Sequence, residues 1–114
     1  MDCIFCKIAS GEIPADIVYV DDEIIAFHDL APQAPVHVLI IPKEHISSLD
    51  DVDDSEEHKK LMGHLISKAG EIAELLGLEN GYRLVNNCGE DAMQTVKHIH
   101  FHLLGGRKLG WPPG

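Results

Sequence analysis

The stretch His98-Ile99-His100-Phe101-His102-Leu103-Leu104 alternates imidazoles with apolar side chains. Successive side chains of a β-strand point to opposite faces, so a strand here directs three histidines to one face and Ile99, Phe101 and Leu103 to the other. The apolar face predicts a core position. The histidine face collects groups that can bind a metal, carry a proton or act as a nucleophile near neutral pH. We therefore expect residues 98–104 to be the fifth strand and the centre of a functional site.

The remaining segments predict a small α+β fold around this strand. Residues 4–9 resemble one short helix. A long amphipathic helix has N-cap candidates at residues 53–55 and ends at Gly77. Apolar runs bounded by turn residues predict four more strands, and strands that follow one another without a helix predict a mainly antiparallel five-stranded sheet. These four strands are expected at residues 17–20, 24–28, 36–41 and 82–86.

Size, composition and charge restrict the class of protein. The chain has 114 residues, 45% of them hydrophobic and 25% charged, and we expect a single domain over residues 1–114. Neither a secretory signal nor an apolar run of roughly 20 residues is visible, which predicts a cytoplasmic protein. The formal net charge of −10 opposes binding to a nucleic-acid polymer or an anionic membrane. A single nucleotide remains compatible, since a few well-placed donors can hold one phosphate.

The cysteines indicate metal chemistry or reactive thiols. Cys3 and Cys6 form a Cys-x2-Cys pair, and the third cysteine of the chain, Cys88, stands apart. In a cytosolic protein such a pair is typical of a metal half-site, for which His45 and one histidine of the 98–102 row are candidate partners. The alternative is two small apolar side chains buried on a short helix.

The histidine row itself has two chemical interpretations. A neutral imidazole can attack phosphorus while its neighbours move protons. Alternatively, His-x-His on a strand with a third histidine can hold a catalytic zinc ion that keeps one open position. The simplest alternative is an exposed strand face without function. His37, on the third strand, would lie beside the row in an antiparallel sheet, although a single strand histidine is commonly structural.

Two polar segments could contact a phosphate or a sugar. Short polar side chains and turn amides at 86–89 and 94–97 can hold phosphate oxygens. The Asp29 carboxylate can accept from a ribose diol. Each segment is equally compatible with a polar loop or turn, so neither decides the function alone.

Taken together, these residues resemble the histidine triad (HIT) superfamily, and specifically its Hint branch. The resemblance covers nearly the whole chain and includes the His-x-His-x-His pattern followed by two apolar residues. It also includes the C-terminal tail Trp111-Pro112-Pro113-Gly114. The other segments that carry it are 4–8, 12–14, 26–30, 32–37, 40–46, 81–87 and 105–107.

The resemblance implies a homodimer whose two sheets join edge to edge, and hydrolysis of adenosine (purine nucleoside) 5′-phosphoramidates to AMP and an amine. By position, His100 resembles the nucleophile that forms a nucleotidyl-histidine intermediate. His102 resembles a phosphate contact and proton carrier, and His37 helps to set the tautomer and position of the nucleophile. Thr95 stands where the family has a Ser or Thr that contacts the phosphate and the leaving group.

The resemblance also implies the nucleotide and metal contacts. Asp29 resembles the acceptor of the ribose hydroxyls, and Asn87 a phosphate or ribose contact. Relatives that contain zinc hold it with the positions that correspond to Cys3, Cys6, His45 and His98; four such ligands would make the Zn²⁺ structural, so that the chemical step itself needs no cofactor. The base pocket and phosphate loop would be lined by Ile4, Phe5, Ile8, Phe27, Leu30 and Gln94.

One loop departs from the Hint pattern. Where relatives have two glycines before Gln94, this chain has Ala92 and Met93. If the backbone there requires a positive φ, Met93 adds strain.

Three other functions remain open at this point. A hydrolase whose histidine row holds catalytic zinc would lose turnover on chelation while keeping its fold. A non-enzymatic nucleotide-binding adaptor would bind AMP without turnover and use its dimer and Trp111 tail to contact a protein. A dinucleoside polyphosphate hydrolase would use the same site on a different leaving group.

Overall fold

The computed structural model describes residues 3–114, so the first two residues of the expected domain lie outside it. The described chain forms an α+β structure with one five-stranded sheet and two helices, as predicted. The sheet order is β1-β2-β3-β5-β4, and every neighbouring pair is antiparallel. The elements are α1 (Ile4–Ala9), β1 (Ile17–Val20), β2 (Ile24–His28), β3 (Val36–Pro42), α2 (Glu56–Leu75), β4 (Tyr82–Asn86) and β5 (Phe101–Gly105), with a 3-10 turn at Leu49–Asp51 before α2.

The two helices cover opposite faces of the sheet. The alternation of β2 separates its side chains, because Ile24 and Ala26 join the core under α2 whereas Ile25 and Phe27 join the core under α1. Central strands buried on both faces read as continuous apolar runs, which explains the sequences of β2 and β3. The α2 face also receives Ile99, Phe101 and Leu103, as expected from their alternation.

The fifth strand is shorter than predicted. The alternation predicts a strand over residues 98–104, but β5 begins at Phe101. Phe101 is the first residue that pairs both with Ile40 of β3 and with Asn86 of β4. Upstream of Phe101 the backbone turns to other partners: the N–H of Ile99 donates to the carbonyl of Ile46 at 2.6 Å. Side chains still alternate across 98–103, so the histidines keep a common face without a regular strand.

The long helix begins and ends where its sequence predicts. Ser55 is the N-cap, and its hydroxyl accepts from the N–H of His58 at 3.2 Å. Glu56 and Glu57 follow in the first turn, where negative charge is favourable. Gly77 takes φ of 71° just past the last turn, a left-handed conformation that glycine adopts without strain.

Candidate active site

The central histidine has its tautomer set by the backbone. Nδ1 of His100 lies 2.8 Å from the carbonyl oxygen of His98, which can only accept, so Nδ1 carries the hydrogen and donates it. In the neutral ring Nε2 then carries the lone pair. His100 is only 5% exposed, and its ring lies edge-on against Phe5 with the ring centroids 5.1 Å apart. The structure thus fixes the orientation of the His100 ring and leaves a lone pair on its Nε2.

A residue assigned no role of its own by the sequence analysis also holds His100. The Nδ2 of Asn86 donates to the carbonyl oxygen of His100 at 2.9 Å, and its own Oδ1 is buried without a partner among the described residues. Asn86 is the last residue of β4 and pairs with Phe101. An asparagine at the end of a strand that flanks the histidine row is the signal that could have identified it.

A second pair of histidines lies beside the first. Nε2 of His37 and Nδ1 of His102 are 2.9 Å apart. The N–H of Gln33 donates to Nδ1 of His37 at 3.0 Å, so the hydrogen of neutral His37 is on Nε2 and points at His102. The resemblance implies that His37 helps to set the tautomer and position of His100. In the structure His37 contacts His102, and the His98 carbonyl is the partner of Nδ1 of His100.

Both histidines of this pair are held neutral. Burial, and then the positive charges that His100 and His37 can carry, lower the pKa of His102 to about 4, while the Asp29 carboxylate opposes the shift. Burial also lowers the pKa of His37, and the Asp29 carboxylate again opposes the shift. Because Nδ1 of His102 accepts a hydrogen bond, its Nε2 carries the hydrogen and can donate to an anionic oxygen.

Asp29, His37 and His102 also resemble a metal-binding triad, since one ligand atom from each lies within 4.8 Å of the others. The hydrogen bonds argue against this use. A metal on Nε2 of His37 requires the hydrogen to move to Nδ1, where it would meet the N–H of Gln33. This trio is therefore better suited to holding protons than to holding a cation.

The other cluster has the geometry of a metal site. The ligand atoms of Cys3, Cys6, His45 and His98 lie within 4.8 Å of one another. Nε2 of His98 donates to the carbonyl of Pro42 at 2.8 Å, which leaves the lone pair on Nδ1, 3.3 Å from the Cys3 sulfur. Two thiols and two imidazoles are the donors that zinc prefers in a four-coordinate site, so these residues fit a metal of that kind.

The same cluster is connected to His100. Cys3 is the N-cap of α1, and its sulfur accepts from the N–H of Cys6. Phe5, between the two cysteines, lies edge-on against both His98 and His100. His98 contributes its ring to the cluster and its carbonyl to His100. Burial raises the pKa of the Cys6 thiol, and the neighbouring Cys3 raises it further.

The residues expected around the base are divided by their burial. Phe5 and Ile8 of α1 are buried against the sheet together with Phe27 of β2, and Phe5 packs edge-on against Phe27. Ile4 is half exposed and Leu30 is 99% exposed. The described chain therefore buries three of the five apolar side chains expected around the base, and Ile4 and Leu30 are the two left exposed.

The loop before the triad is held by Gln94. Its side chain is buried; Nε2 donates to the carbonyls of Ser47 and Val96, and Oε1 accepts from the N–H of Gly89. The side chain expected to face the nucleotide is thus used to close the loop. Met93, next to it, has φ of 60°, as the replacement of glycine suggested.

The two remaining expected contacts lie at the surface. Thr95 is exposed and lines a groove with Ile4 and Ser47, and Asn87 is half-buried just after β4. Within residues 3–114 their side chains form no hydrogen bond, so both can accept a ligand.

The geometry brings His37, His98, His100 and His102 together in one candidate site. Comparisons with known proteins identify the family of the chain. A family model, the HIT domain, matches residues 10–109. The chain belongs to the HIT domain family. It is 56% identical to a HIT-like protein of Synechococcus elongatus over 113 residues, which are 99% of this chain and 97% of that one.

Solved structures agree with this family. A HIT family hydrolase from Legionella pneumophila is 52% identical, with a TM-score of 0.95 over 99% of this chain and 100% of that one. A histidine triad nucleotide-binding protein from Candida albicans is 34% identical, with a TM-score of 0.81 over 97% of this chain and 83% of that one. Neither helix in the described part of the chain has the length and apolar character needed to cross a membrane.

Proposed function

We propose that this protein is a hydrolase of the Hint type that cleaves purine nucleoside 5′-phosphoramidates to the nucleoside monophosphate and an amine. The observation that carries the proposal is the hydrogen bond from Nδ1 of His100 to the carbonyl of His98, which leaves the lone pair of the neutral ring on Nε2. A nucleophile with a fixed tautomer suits a two-step displacement at phosphorus. The Legionella relative is named a hydrolase and the Candida relative a nucleotide-binding protein, which supports the same conclusion.

In the first step Nε2 of His100 forms a bond to phosphorus and the phosphorus–nitrogen bond of the substrate breaks. The amine leaves with a proton carried to it by His102, and the nucleotide remains on His100. In the second step a water oxygen forms a bond to phosphorus, a proton of that water passes to His102, and the bond to His100 breaks. The carbonyl of His98 stabilises the positive charge that His100 acquires, since it faces the Nδ1 hydrogen throughout.

Neighbouring side chains would supply contacts to the phosphate and the leaving group. His102 presents an Nε2 hydrogen because its Nδ1 accepts from His37, and it would donate to a phosphoryl oxygen and carry a proton. Thr95 would contact the phosphate and the leaving group, and Asn87 the phosphate or ribose. Asp29 would accept from the ribose hydroxyls, and the apolar side chains around Phe5 and Phe27 would hold the base.

The test is AMP release from an adenosine 5′-phosphoramidate with a fluorescent amine leaving group. We expect turnover by the native chain and a loss on the order of 10⁴-fold or more in His100→Ala, because the covalent route is removed. His64→Ala is the matched control, since His64 lies on α2 and pairs with Asp21 away from the site. Equal rates in His100→Ala, or cleavage of dinucleoside polyphosphates alone, would overturn the proposal.

We further propose that Cys3, Cys6, His45 and His98 hold a structural zinc ion. Four protein ligands leave no open position, so the ion would tie α1 and the 45–47 segment to the histidine row without entering the chemistry. Cys6→Ser should lose bound zinc, measured by elemental analysis of the purified protein, and should melt at a lower temperature. Cys88→Ser should change neither quantity, because Cys88 lies outside this cluster. Full zinc content in Cys6→Ser would refute the assignment.

The partner that we propose is a second copy of the chain, joined at β4. This strand lies at the edge of the sheet, and Tyr82 at its start is 47% exposed. Open strand edges are sites of pairing unless they are protected. Ile66 on the adjoining helix is 49% exposed and extends the apolar surface.

A further inference from the structure

The hydrogen on Nε2 of His37 lies between two acceptors. It points at Nδ1 of His102, 2.9 Å away, and Oδ2 of Asp29 lies 3.5 Å from the same nitrogen. The other oxygen of Asp29 accepts from the N–H of Ala31 at 2.8 Å, which fixes the carboxylate in place. Only one of the two acceptors can receive the hydrogen in good geometry at a time.

Protonation of His102 forces a change in this arrangement. Neutral His102 carries its hydrogen on Nε2, so a second proton has to go on Nδ1. Nδ1 would then present a hydrogen to the hydrogen on Nε2 of His37. His37 has no alternative tautomer, because its Nδ1 faces the N–H of Gln33. The hydrogen of His37 therefore has to leave His102 and find another acceptor.

We propose that Asp29 is a positioning residue that takes the Nε2 hydrogen of His37 whenever His102 gains its second proton. The carboxylate is 21% exposed and the His37 side chain is 5% exposed, so solvent has little access to the hydrogen and Asp29 is the near acceptor. Asp29 thus acts on His102 through His37, in addition to any contact with a sugar. The kinetic part of this inference rests on the proposed function; the hydrogen-bond exchange itself does not.

The groups that face His102 come from three parts of the fold. His37 approaches from β3, Asp29 from the loop after β2, and His100 from the same strand region. On β4 the paired residue is Val85, which is uncharged. Asp29 is therefore the one negative group in the described chain that favours the charged form of His102.

The first test is an NMR titration of the His102 ring in the ligand-free, full-length protein between pH 7.5 and 4.5. With a pKa of about 4, roughly a quarter of His102 is protonated at pH 4.5. In Asp29→Asn we expect a pKa lower by about one unit, which leaves about 3% protonated at that pH. Asp29→Glu should restore part of the shift. Asp22 is an exposed turn residue, and Asp22→Asn makes the same change in charge; it should leave the pKa of His102 unchanged.

A double variant distinguishes action through His37 from attraction through space. If Asp29 acts through His37, the effect of Asp29→Asn should be much smaller in a His37→Ala background. An equal effect in both backgrounds would refute the exchange of acceptors, and so would an unchanged His102 titration in Asp29→Asn. Retained dispersion of the amide spectrum shows that each variant is folded.

The second test separates this role from a contact with the sugar. We expect Asp29→Asn to lower kcat about tenfold on an adenosine 5′-phosphoramidate and also on its 2′,3′-dideoxy analogue, since one pKa unit is a tenfold change in the charged form. If Asp29 serves only the ribose hydroxyls, native protein and variant will turn over the dideoxy substrate equally. If the native protein cleaves neither compound, the proposed function fails while the titration still decides the role of Asp29.

Discussion

At the scale of single residues, His98 connects two clusters with different atoms. Its ring faces the thiols of Cys3 and Cys6, and its backbone carbonyl fixes the tautomer of His100. A side chain that binds a metal is held more rigidly than a free one, and the carbonyl on the same residue shares that rigidity. The orientation of the His100 ring is therefore linked to the cysteine cluster through one residue.

The neutral state of His102 predicts that acid destabilises the fold. Its pKa is about 4 in the folded protein and near 6.5 in the unfolded chain, so the unfolded state binds more protons between these values and stability falls as pH decreases. Urea unfolding at pH 7.5, 5.5 and 4.5 should show a steeper fall for the native protein than for His102→Gln. At pH 7.5 the His102 ring is neutral in the folded and unfolded states. The difference in the free energy of unfolding between the native protein and the variant at that pH therefore serves as the reference. If the free energy of unfolding fell equally with pH in the native protein and in His102→Gln, His102 would not be the cause.

Met93 predicts a stabilising change. A non-glycine residue at φ of 60° destabilises the folded state by about 1–2 kcal/mol. Glycine removes this strain, but it also raises the conformational entropy of the unfolded chain, which offsets up to about 1 kcal/mol of the gain. Met93→Gly should therefore raise the free energy of unfolding by about 0.5 kcal/mol in urea titrations. Ala92→Gly, at a position without positive φ, should lower it. A loss in both variants would show that the loop is not strained at Met93.

At the scale of elements, the start of α2 predicts a measurable cap. The Ser55 hydroxyl accepts from the N–H of His58, so Ser55→Ala should cost about 1 kcal/mol. Ser48 precedes the 3-10 turn, and its hydroxyl caps no backbone N–H but donates to the exposed Asp51 carboxylate at 3.0 Å, so Ser48→Ala should stay within about 0.5 kcal/mol. Thermal or urea unfolding of the two variants measures the difference, and equal losses would show that the cap does not stabilise α2.

The elements also show where sequence periodicity succeeds and where it fails. Alternation correctly assigned Ile99, Phe101 and Leu103 to the core. It extended β5 over residues 98–100, because period-2 burial does not reveal which partner strand the backbone pairs with. The Ile99 N–H bonds to Ile46 outside the ladder, and that contact spans 53 residues of chain.

At the scale of the whole molecule, the proposed dimer gives a prediction with a matched control on one helix. Ile66 and Gly70 lie one turn apart, and the Tyr82 hydroxyl is 3.6 Å from where a side chain on Gly70 would begin. Ile66→Glu should therefore place charge in the β4 interface and give monomers in sedimentation velocity. Leu75, nine residues from Ile66, lies on the opposite side of α2 and is 70% exposed, so Leu75→Glu should leave the dimer intact. A monomeric native protein would refute the interface.

The sequence by itself determined the α+β class and the faces of the histidine row, since these follow from local periodicity. Most of the candidate site residues came instead from the resemblance of the sequence to the HIT superfamily. The tertiary structure decided which atoms meet: His37 with His102, Gln94 with the loop carbonyls, and Asn86 with the His100 carbonyl. The tautomers also come from these contacts, because each ring takes its hydrogen position from a partner distant in the chain or from the local backbone. Long-range hydrogen-bond geometry is a property of the folded molecule, and no periodicity in the sequence encodes it.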